Sequence, residues 1–152
     1  MTTQSRITRV ALRNYKSIAT CDVPLGPLTI LVGPNGAGKS NFLDAMRFCR
    51  DALRTPLDQV FEKRYTNLHH LLHHSPTDPD SLAMRFDFVL DRRQQGHYSF
   101  EIGLQSPRGF EVRQETCIID GSDGEPKHSF EIHSGNFTLS GVTSPTFALL
   151  KG

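Results

Sequence analysis

The sequence predicts a mixed α/β (α+β) fold, in which a mixed sheet and one helix adjoin a glycine-rich loop and an antiparallel β-meander follows. Three observations predict it. An apolar, β-branched run, Leu28–Val32, leads directly into the glycine-rich segment Gly33–Ser40. Apolar residues then recur at helical spacing as far as Pro56. From Ser81 onward they occupy every second position instead, which is typical of half-buried strands.

The composition suits one domain or a large part of one. The chain has 152 residues, of which 37% are hydrophobic, enough for a packed core. Lysine and arginine number 17 against 16 acidic residues, so no overall basic field requires a nucleic-acid partner. The three cysteines lack C-x-x-C spacing, Met1–Arg6 lacks the apolar core of a signal peptide, and no apolar run reaches membrane-spanning length. We therefore expect reduced thiols in a cytoplasmic protein without a membrane partner.

The first half of the chain is predicted to alternate between strands and a helix. Ile7–Leu12 and Ser17–Leu25 are expected to form two short strands before the strand Leu28–Val32. A helix of about four turns should follow the glycine-rich loop. Its apolar stripe is predicted to comprise Phe42, Met46, Cys49 and Leu53.

The segment Arg54–Asp80 has the least regular pattern, and we predict a short helix within a loop. It contains the run Leu-His-His-Leu-Leu-His-His from position 68 to position 74. Two histidine pairs at i,i+4 spacing have a geometry that binds metal on a helix. They are His69 with His73, and His70 with His74. Because no carboxylate or cysteine stands at matching spacing, we favour an exposed helix face with Leu68, Leu71 and Leu72 packed inward.

Alternating strands separated by polar turns make up the last part of the chain. The predicted turns are Arg92–Gly96, Ser106–Gly109 and Gly121–Pro126. The alternating apolar positions between them include Leu82, Met84, Phe86, Phe88, Leu90, Tyr98, Phe100, Ile102, Leu104, Phe110, Val112, Phe130 and Ile132. This pattern indicates an antiparallel meander with one face toward water.

The segment Gly33–Ser40 matches G-x-x-x-x-G-K-S, the phosphate-binding loop (Walker A motif) of nucleoside triphosphate-binding proteins. In such a loop consecutive backbone N–H groups and a helix N-terminus surround an anion. Lys39 is expected to reach the β- and γ-phosphates, and the Ser40 hydroxyl to bind Mg²⁺. The predicted nucleotide contacts are Pro34, Asn35, Gly36, Ala37, Gly38, Lys39, Ser40 and Asn41. The strand before the loop and the helix after it favour this over a glycine turn that only joins two elements.

The surrounding pattern excludes several kinds of nucleotide-binding protein. Small kinases and GTPases continue with alternating βαβ units, whereas a meander follows here. The guanine-reading N-K-x-D and the switch motif D-x-x-G are absent. Asn41 stands where a dinucleotide-binding loop would have its third glycine.

The segments Ile7–Ser17 and Val23–Ala45 resemble the N-terminal lobe of SMC/RecF-type ATPase heads. These are ABC-type ATPases, and they include predicted AAA family ATPases of bacteria. The residues that carry the resemblance are Asn35, Asn41 and the upstream Asn14–Ser17. The match is dense from Ile7 to Leu57 and only architectural from Ser81 onward.

The resemblance implies roles for individual residues. Asn35 through Ser40 would hold the triphosphate and Mg²⁺, with ATP as the nucleotide. Tyr15, Lys16 and Ser17 would lie near the ribose, the base or the α-phosphate, although Lys16 also fits a solvated cation at a strand end. It further implies a P-loop core at 1–57, an insertion at 58–80, and a β-subdomain of the same head at 81–152.

Motifs that such heads need for hydrolysis are missing from this chain. Phe88–Asp91 and Cys117–Asp120 each place three apolar residues before an aspartate, but neither has the fourth apolar residue or the glutamate of a Walker B strand. Leu139–Val142 lacks the second glycine of a signature loop. We therefore identify no catalytic residue and expect a C-terminal lobe to supply these groups.

Two hypotheses about function follow. In the first, the chain is the ATP-binding lobe of an ATPase that hydrolyses ATP only with a C-terminal lobe and a second head in a homodimer. DNA or an effector protein would be the further partner, in DNA repair, chromosome handling or phage defence. In the second, the chain is a stand-alone nucleotide-binding sensor or interaction module without hydrolysis. An apolar strand ending in Asp-Glu in the reading frame after Gly152 would favour the first.

One helix face carries arginines that suit DNA phosphates. Arg47, Arg50 and Arg54 share this face. Asp44 and Asp51 are close enough in sequence to pair with them, so a solvated, ion-paired face is the favoured interpretation.

Overall fold

A computed structural model describes residues 5–75, 79–90, 94–105, 109–120, 126–133 and 136–140. Seven strands and two α-helices are formed, with a π-helical turn and a 3₁₀ turn after the second helix. The strands are β1 (Arg6–Tyr15), β2 (Ile18–Pro24), β3 (Ser81–Val89), β4 (Gln95–Gln105), β5 (Gly109–Asp120), β6 (Pro126–His133) and β7 (Asn136–Ser140). The helices are α1 (Lys39–Ala52) and α2 (Leu57–Val60), followed by the π-helical turn Phe61–Tyr65 and the 3₁₀ turn Leu68–His70.

All seven strands belong to one sheet, in the order β2-β1-β3-β4-β5-β6-β7. Every pairing in it is antiparallel. The predicted meander is therefore confirmed, but within the described residues the predicted mixed sheet is not formed. β1 pairs with β3 on one side and β2 on the other, so the sheet joins the first and third predicted domains. The three-part domain division remains a prediction.

The segment Leu28–Val32 was expected to be a central strand, and this expectation is wrong for the described structure. It pairs with no strand among the described residues. Leu28, Ile30 and Val32 are 80%, 73% and 86% exposed, whereas Leu31 packs against the core. A β-branched apolar run adopts a strand when neighbouring backbone supplies hydrogen bonds and covers both faces. Among the described residues, neither side of the run has a paired strand as neighbour.

Helix α1 confirms the predicted four-turn helix, but its buried face differs from the predicted stripe. The buried residues of α1 are Phe42, Ala45, Phe48, Cys49 and Ala52. Met46 is half-buried and Leu53 is 38% exposed. The buried face therefore includes Phe48 and two alanines, and its members are spaced three or four residues apart, as one face of a helix requires.

Phe48 is the centre of an aromatic cluster between α1 and the sheet. It is fully buried, and its ring centroid lies 6.3 Å from Tyr15, 6.0 Å from Phe61, 5.6 Å from Tyr65 and 6.3 Å from Phe100. These partners come from β1, the π-helical turn and β4. One side chain of α1 thus joins three separate parts of the chain.

The segment after α1 folds back onto the sheet as short helical turns, as predicted for 54–80. Leu57, Leu68, Leu71 and Leu72 are buried, which confirms the inward packing of the three leucines of the histidine-rich run. Tyr15 of β1 forms an isolated antiparallel bridge with Leu72. This bridge ties the end of the segment to the end of β1.

The predicted alternation of the strands is confirmed at their centres. Leu82, Met84, Phe86, Tyr98, Phe100 and Ile102 are buried toward α1. The strand β7 was not predicted. Most residues of the three predicted turns, together with Asp91 and Gly141–Val142, lie outside the described residues.

Among the described residues, no helix combines the length and the apolar character needed to cross a membrane.

Replacing Phe48 should lower stability strongly. We expect Phe48→Ala to reduce the free energy of unfolding by about 3–5 kcal/mol, because it leaves a cavity between α1, β1 and β4. Urea unfolding followed by circular dichroism measures the change. Leu43→Ala on the exposed side of α1 is the matched control, with a loss of about 0.5 kcal/mol or less. Equal losses in the two variants would contradict the assignment of the core.

Candidate nucleotide-binding site

The glycine-rich loop ends at the first turn of α1 in a form suited to an anion. Gly36 and Gly38 have φ angles of 85° and 88°, a region that favours glycine. Gly38 is the N-cap of α1 and makes no side-chain capping bond, and the first turn contains no acidic residue. The first N–H groups of a helix have no partner within the helix. With no capping side chain and no carboxylate in the first turn, they are available to a phosphate.

The Lys39 side chain lies across the loop that precedes it. Its ammonium donates hydrogen bonds to the backbone carbonyls of Gly33, at 2.7 Å, and Pro34, at 2.6 Å. Both acceptors are neutral. An anionic oxygen makes a shorter and stronger hydrogen bond with an ammonium than a carbonyl does, so a phosphate in the loop would compete well for Lys39.

The turn between β1 and β2 contacts the loop from the side. Asn41 Nδ2 donates to Ser17 Oγ over 2.7 Å. A side chain at Gly38 would meet Ser17 Oγ and Ile18 Cγ1, each at 3.5 Å from its Cβ. Ser17 and Asn41, which were both predicted at the nucleotide site, are therefore brought together beside Gly38.

A groove of about 480 Å³ extends from the loop between β2 and the segment Ile30–Val32. It is lined by Ser17, Ile18, Ala19, Thr20, Cys21, Val23, Ile30, Leu31, Val32, Ala37, Gly38, Lys39 and Phe42. Its volume is within the range of small-molecule sites. Apolar side chains line part of this groove, and it ends at a lysine and a phosphate-type loop, which suits a ligand with a flat apolar part and an anionic part.

Lys16, predicted near the nucleotide, is paired with a carboxylate of α1. Its Nζ atom lies 2.5 Å from Asp44 Oδ2. The same oxygen accepts a hydrogen bond from Tyr15 OH at 2.8 Å, and Asp44 Oδ1 accepts one from Tyr65 OH at 3.3 Å. The ammonium also lies 5.7 Å and 5.1 Å from the ring centroids of Tyr15 and Tyr65. Lys16 is therefore not the solvated cation of the alternative interpretation.

The charges of this cluster shift the pKa values of its members. Burial opposes ionisation of Asp44, but the hydrogen bonds from Lys16 and Tyr15 outweigh it and hold the pKa of the carboxyl below its ordinary value. Burial and the hydrogen bond to Asp44 raise the pKa of Tyr15. Burial and the Asp44 charge raise the pKa of Tyr65. Around neutral pH the cluster thus holds one carboxylate and two neutral phenols.

The histidine-rich segment supports the β1–β2 turn. His73 N donates to the Asn14 carbonyl over 3.1 Å, and His73 Nδ1 lies 2.7 Å from the Lys16 carbonyl oxygen. Lys16 N donates to the Leu71 carbonyl over 2.7 Å. Within the part of the chain that the structure describes, no group of three or more potential metal ligands occurs.

The remaining candidates have structural partners. Arg50 and Arg64 both pair with Asp51, which confirms part of the expected ion-paired face, whereas Asp44 pairs with Lys16 instead of an arginine. Asp120 lies at the end of β5, as expected for a strand-to-turn residue.

All three cysteines are free. Burial, with the Glu115 charge, raises the pKa of Cys49 to about 12, so this thiol is no nucleophile.

Sequence reasoning missed Asp44, Tyr65 and His73 as members of the site region. A signal for Asp44 was present, because it lies three residues after Asn41 and therefore on the same face of α1. The positions of Tyr65 and His73 depend on the π-helical turn and on the bridge to β1. No sequence period reveals these two features.

The Asp44 carboxyl should make stability depend on pH. Its pKa is lower in the folded state, so its contribution is present above the unfolded value of about 3.9 and is lost as pH falls through the folded value. We expect the drop in unfolding free energy between pH 7 and pH 3 to be smaller in Asp44→Asn than in the wild type. Urea unfolding at both pH values measures it, with Asp58→Asn, an exposed aspartate of α2, as the control. An unchanged drop in Asp44→Asn would contradict the ion pair.

Comparison with known proteins identifies the family. Residues 28–141 match the family model described as "AAA domain, putative AbiEii toxin, Type IV TA system". Structural maintenance of chromosomes protein 1 of Schizosaccharomyces pombe is 26% identical over 143 residues, covering 88% of this chain and 12% of that protein. The DNA replication and repair protein RecF of Proteus mirabilis is 26% identical over 153 residues, covering 96% of this chain and 35% of that protein.

A solved structure was also matched, from work titled "Structural biochemistry of ATP-driven dimerization and DNA stimulated activation of SMC ATPases". Its TM-score is 0.47 at 19% identity, covering 79% of this chain and 70% of that one. The chain spans about an eighth to a third of the lengths of the two curated relatives named above. From the family match, the chain belongs to this AAA-domain family, and it is similar over most of its length to proteins of the SMC and RecF type.

Proposed function

We propose that this chain is the ATP-binding lobe of an SMC/RecF-like ATPase. The observation that carries the proposal is the loop Gly33–Ser40, which leads into a helix N-terminus with no side-chain cap and no acidic residue in its first turn, and whose carbonyls hold the Lys39 ammonium. Pro34 through Asn41 would hold the triphosphate and Ser40 would bind Mg²⁺. Ser17 borders this space through its hydrogen bond with Asn41.

The groove beside the loop would take the nucleoside. Its lining is both polar and apolar, with apolar side chains from Ile18, Val23, Ile30 and Val32, and it ends at Gly38 and Lys39. A purine ring offers two apolar faces, and its triphosphate would then extend toward the first turn of α1. This arrangement puts the apolar and anionic parts of ATP against surfaces of matching character.

Hydrolysis would require groups from elsewhere. No cluster of carboxylates and histidines that could hold a metal occurs within the described residues, and the sequence has no Walker B strand. The exposed run Leu28, Ile30 and Val32 is an apolar strip with unpaired backbone beside the site. We propose that a C-terminal lobe pairs with it, brings the Mg²⁺-supporting and water-activating carboxylates, and that a second head in a homodimer completes the site.

The ATP cycle would then act through differential affinity. ATP bound between two heads favours the engaged dimer, and its loss favours separation. DNA or an effector protein would respond to that change, in DNA repair or phage defence. The free thiols of Cys21, Cys49 and Cys117 support a cytoplasmic setting.

A second candidate is a nucleotide sensor that acts without hydrolysis. The absence of a metal-ligand cluster from the described residues favours it. The two candidates differ in whether turnover appears when a second lobe is present.

ATP should stabilise the wild type, and Lys39→Ala should abolish this effect. A ligand that binds only the folded state at 100 times its Kd adds about 2.7 kcal/mol. Thermal melting with and without saturating ATP–Mg²⁺ measures it. Lys63→Ala, an exposed lysine of the π-helical turn, is the matched control and should keep the shift. If Lys39→Ala keeps the full shift, the assignment of the loop is wrong.

The chain alone should not turn ATP over above the level of a Lys39→Ala control, because its sequence has no Walker B strand with the glutamate that would activate water. Phosphate release at saturating ATP–Mg²⁺ measures this. Robust release by the wild type that Lys39→Ala abolishes would show that the chain carries its own catalytic residues.

A further inference from the structure

Three non-glycine residues with positive φ occur in the described part of the chain, and they surround one cluster. They are Asn14 at 57°, Lys16 at 51° and Thr66 at 69°. For a β-branched residue such as Thr66 this region is strained. Asn14 and Lys16 flank Tyr15, and Thr66 directly follows Tyr65. Backbone strain of this kind persists only where the surrounding contacts enforce it, and it concentrates at functional sites.

The contacts that enforce it converge on Asp44. Its two carboxylate oxygens accept hydrogen bonds from Lys16, Tyr15 and Tyr65. The side chains of Lys16 and Asp44 are only 27% and 20% exposed. We call Tyr15, Lys16, Asp44 and Tyr65 the Lys16 junction. Its members come from the end of β1 and the turn after it, from α1 and from the π-helical turn.

The backbone of Lys16 is fixed as firmly as its side chain. Its N–H donates to Leu71, and its carbonyl oxygen faces His73 Nδ1. Asn14 Nδ2 donates to the Ser81 carbonyl over 3.1 Å. The turn that carries Lys16 is thus held by the histidine-rich segment and by β3, so the ammonium has a defined place.

Lys16 and Ser17 hold α1 at two successive points. Asn41 Nδ2 donates a hydrogen bond to Ser17 Oγ. Lys16 Nζ donates one to Asp44, which lies three residues after Asn41 in the helix. Asn41 and Asp44 both lie in the first two turns of α1, which begins at Lys39 directly after the loop. Apolar packing alone allows a helix to rotate slightly about its axis. Two directed polar contacts fix both this rotation and the translation of the helix along its axis. The direction of the loop's N–H groups is set by the same contacts.

Leaving this position would be costly for the ammonium. If Lys16 turned to a nucleotide, the Asp44 carboxylate would lose its counter-charge in a place that is largely shielded from water. Removing one partner of such a pair costs more than the pair itself contributes. The two cation–aromatic contacts would be lost as well.

We propose that Lys16 is a positioning residue for nucleotide binding, which acts through Asp44 to orient the first turns of α1, and that it does not contact the nucleotide. This rests on the proposed ATP-binding function of the loop.

Charge gives a test that separates positioning from direct contact. A carboxylate near a triphosphate repels it, so electrostatics alone predicts that Asp44→Asn tightens ATP binding, the more so because it frees the Lys16 charge. A positioning role predicts instead that Asp44→Asn weakens ATP binding. Under positioning Lys16→Met and Asp44→Asn remove the same contact, so the double variant should be no weaker than either single one.

The experiment is titration calorimetry of ATP–Mg²⁺ into the wild type, Lys16→Met, Asp44→Asn, the double variant and Lys16→Arg. Far-ultraviolet circular dichroism first establishes that each is folded at the working temperature. We expect each single variant and the double variant to raise Kd by about tenfold, the size of an ordinary coupling energy. Lys16→Arg, which keeps the ion pair, should stay within about threefold of the wild type. Lys63→Met and Asp58→Asn are the matched surface controls.

The outcomes are distinct. Weaker binding in Asp44→Asn, without additivity in the double variant, supports the positioning role. Unchanged or tighter binding in Asp44→Asn with weaker binding in Lys16→Met would overturn it and make Lys16 a direct ligand, leaving the proposed function intact. Wild-type Kd in both single variants, with binding lost in Lys39→Ala, would also overturn it. If the wild type itself binds no ATP, the proposed function fails, and the inference fails with it.

Discussion

The packing of α1 across the antiparallel sheet is the constraint on which the rest of this structure depends. Phe48 anchors the helix by contacting rings from β1, β4 and the π-helical turn. Because α1 begins at Lys39, its position also decides where the glycine-rich loop lies. Phe48, which organises the core, and Lys39, Ser40 and Asn41, which end the proposed phosphate site, are therefore parts of one helix.

Apolar packing and polar contacts contribute differently to the position of that helix. Burial of Phe42, Ala45 and Phe48 supplies most of the favourable free energy, since it removes large apolar surfaces from water. Such burial is not directional. The hydrogen bonds from Asn41 to Ser17 and from Lys16 to Asp44 add direction. The strained backbone at Lys16 is the local cost of that direction, and the hydrogen bonds of the Lys16 backbone with Leu71 and His73 offset it.

Local patterns predicted the elements that local forces determine. The period of two from Ser81, the helical period after Ser40 and the G-x-x-x-x-G-K-S motif led correctly to the meander, to α1 and to the glycine-rich loop. Long-range features were not predictable. Leu28–Val32 has strand composition, but composition does not supply the neighbour that a strand needs. Phe48 was missed because its burial depends on partners in β1 and β4, which are distant in the sequence. The contact of Lys16 with Asp44 joins positions 28 residues apart.

The electrostatics of the loop depends on this long-range contact. Asp44 is the first acidic residue of α1, one turn beyond Ser40. An uncompensated carboxylate there would oppose a triphosphate and weaken the favourable field of the helix N-terminus. Lys16 neutralises it at 2.5 Å, so the pair presents little net charge to the loop. Lys39, whose present partners are neutral carbonyls, is then the cation at the loop that an anion meets. Because the ion pair cancels the charge of Asp44, the backbone N–H groups and Lys39 give the loop its affinity for anions.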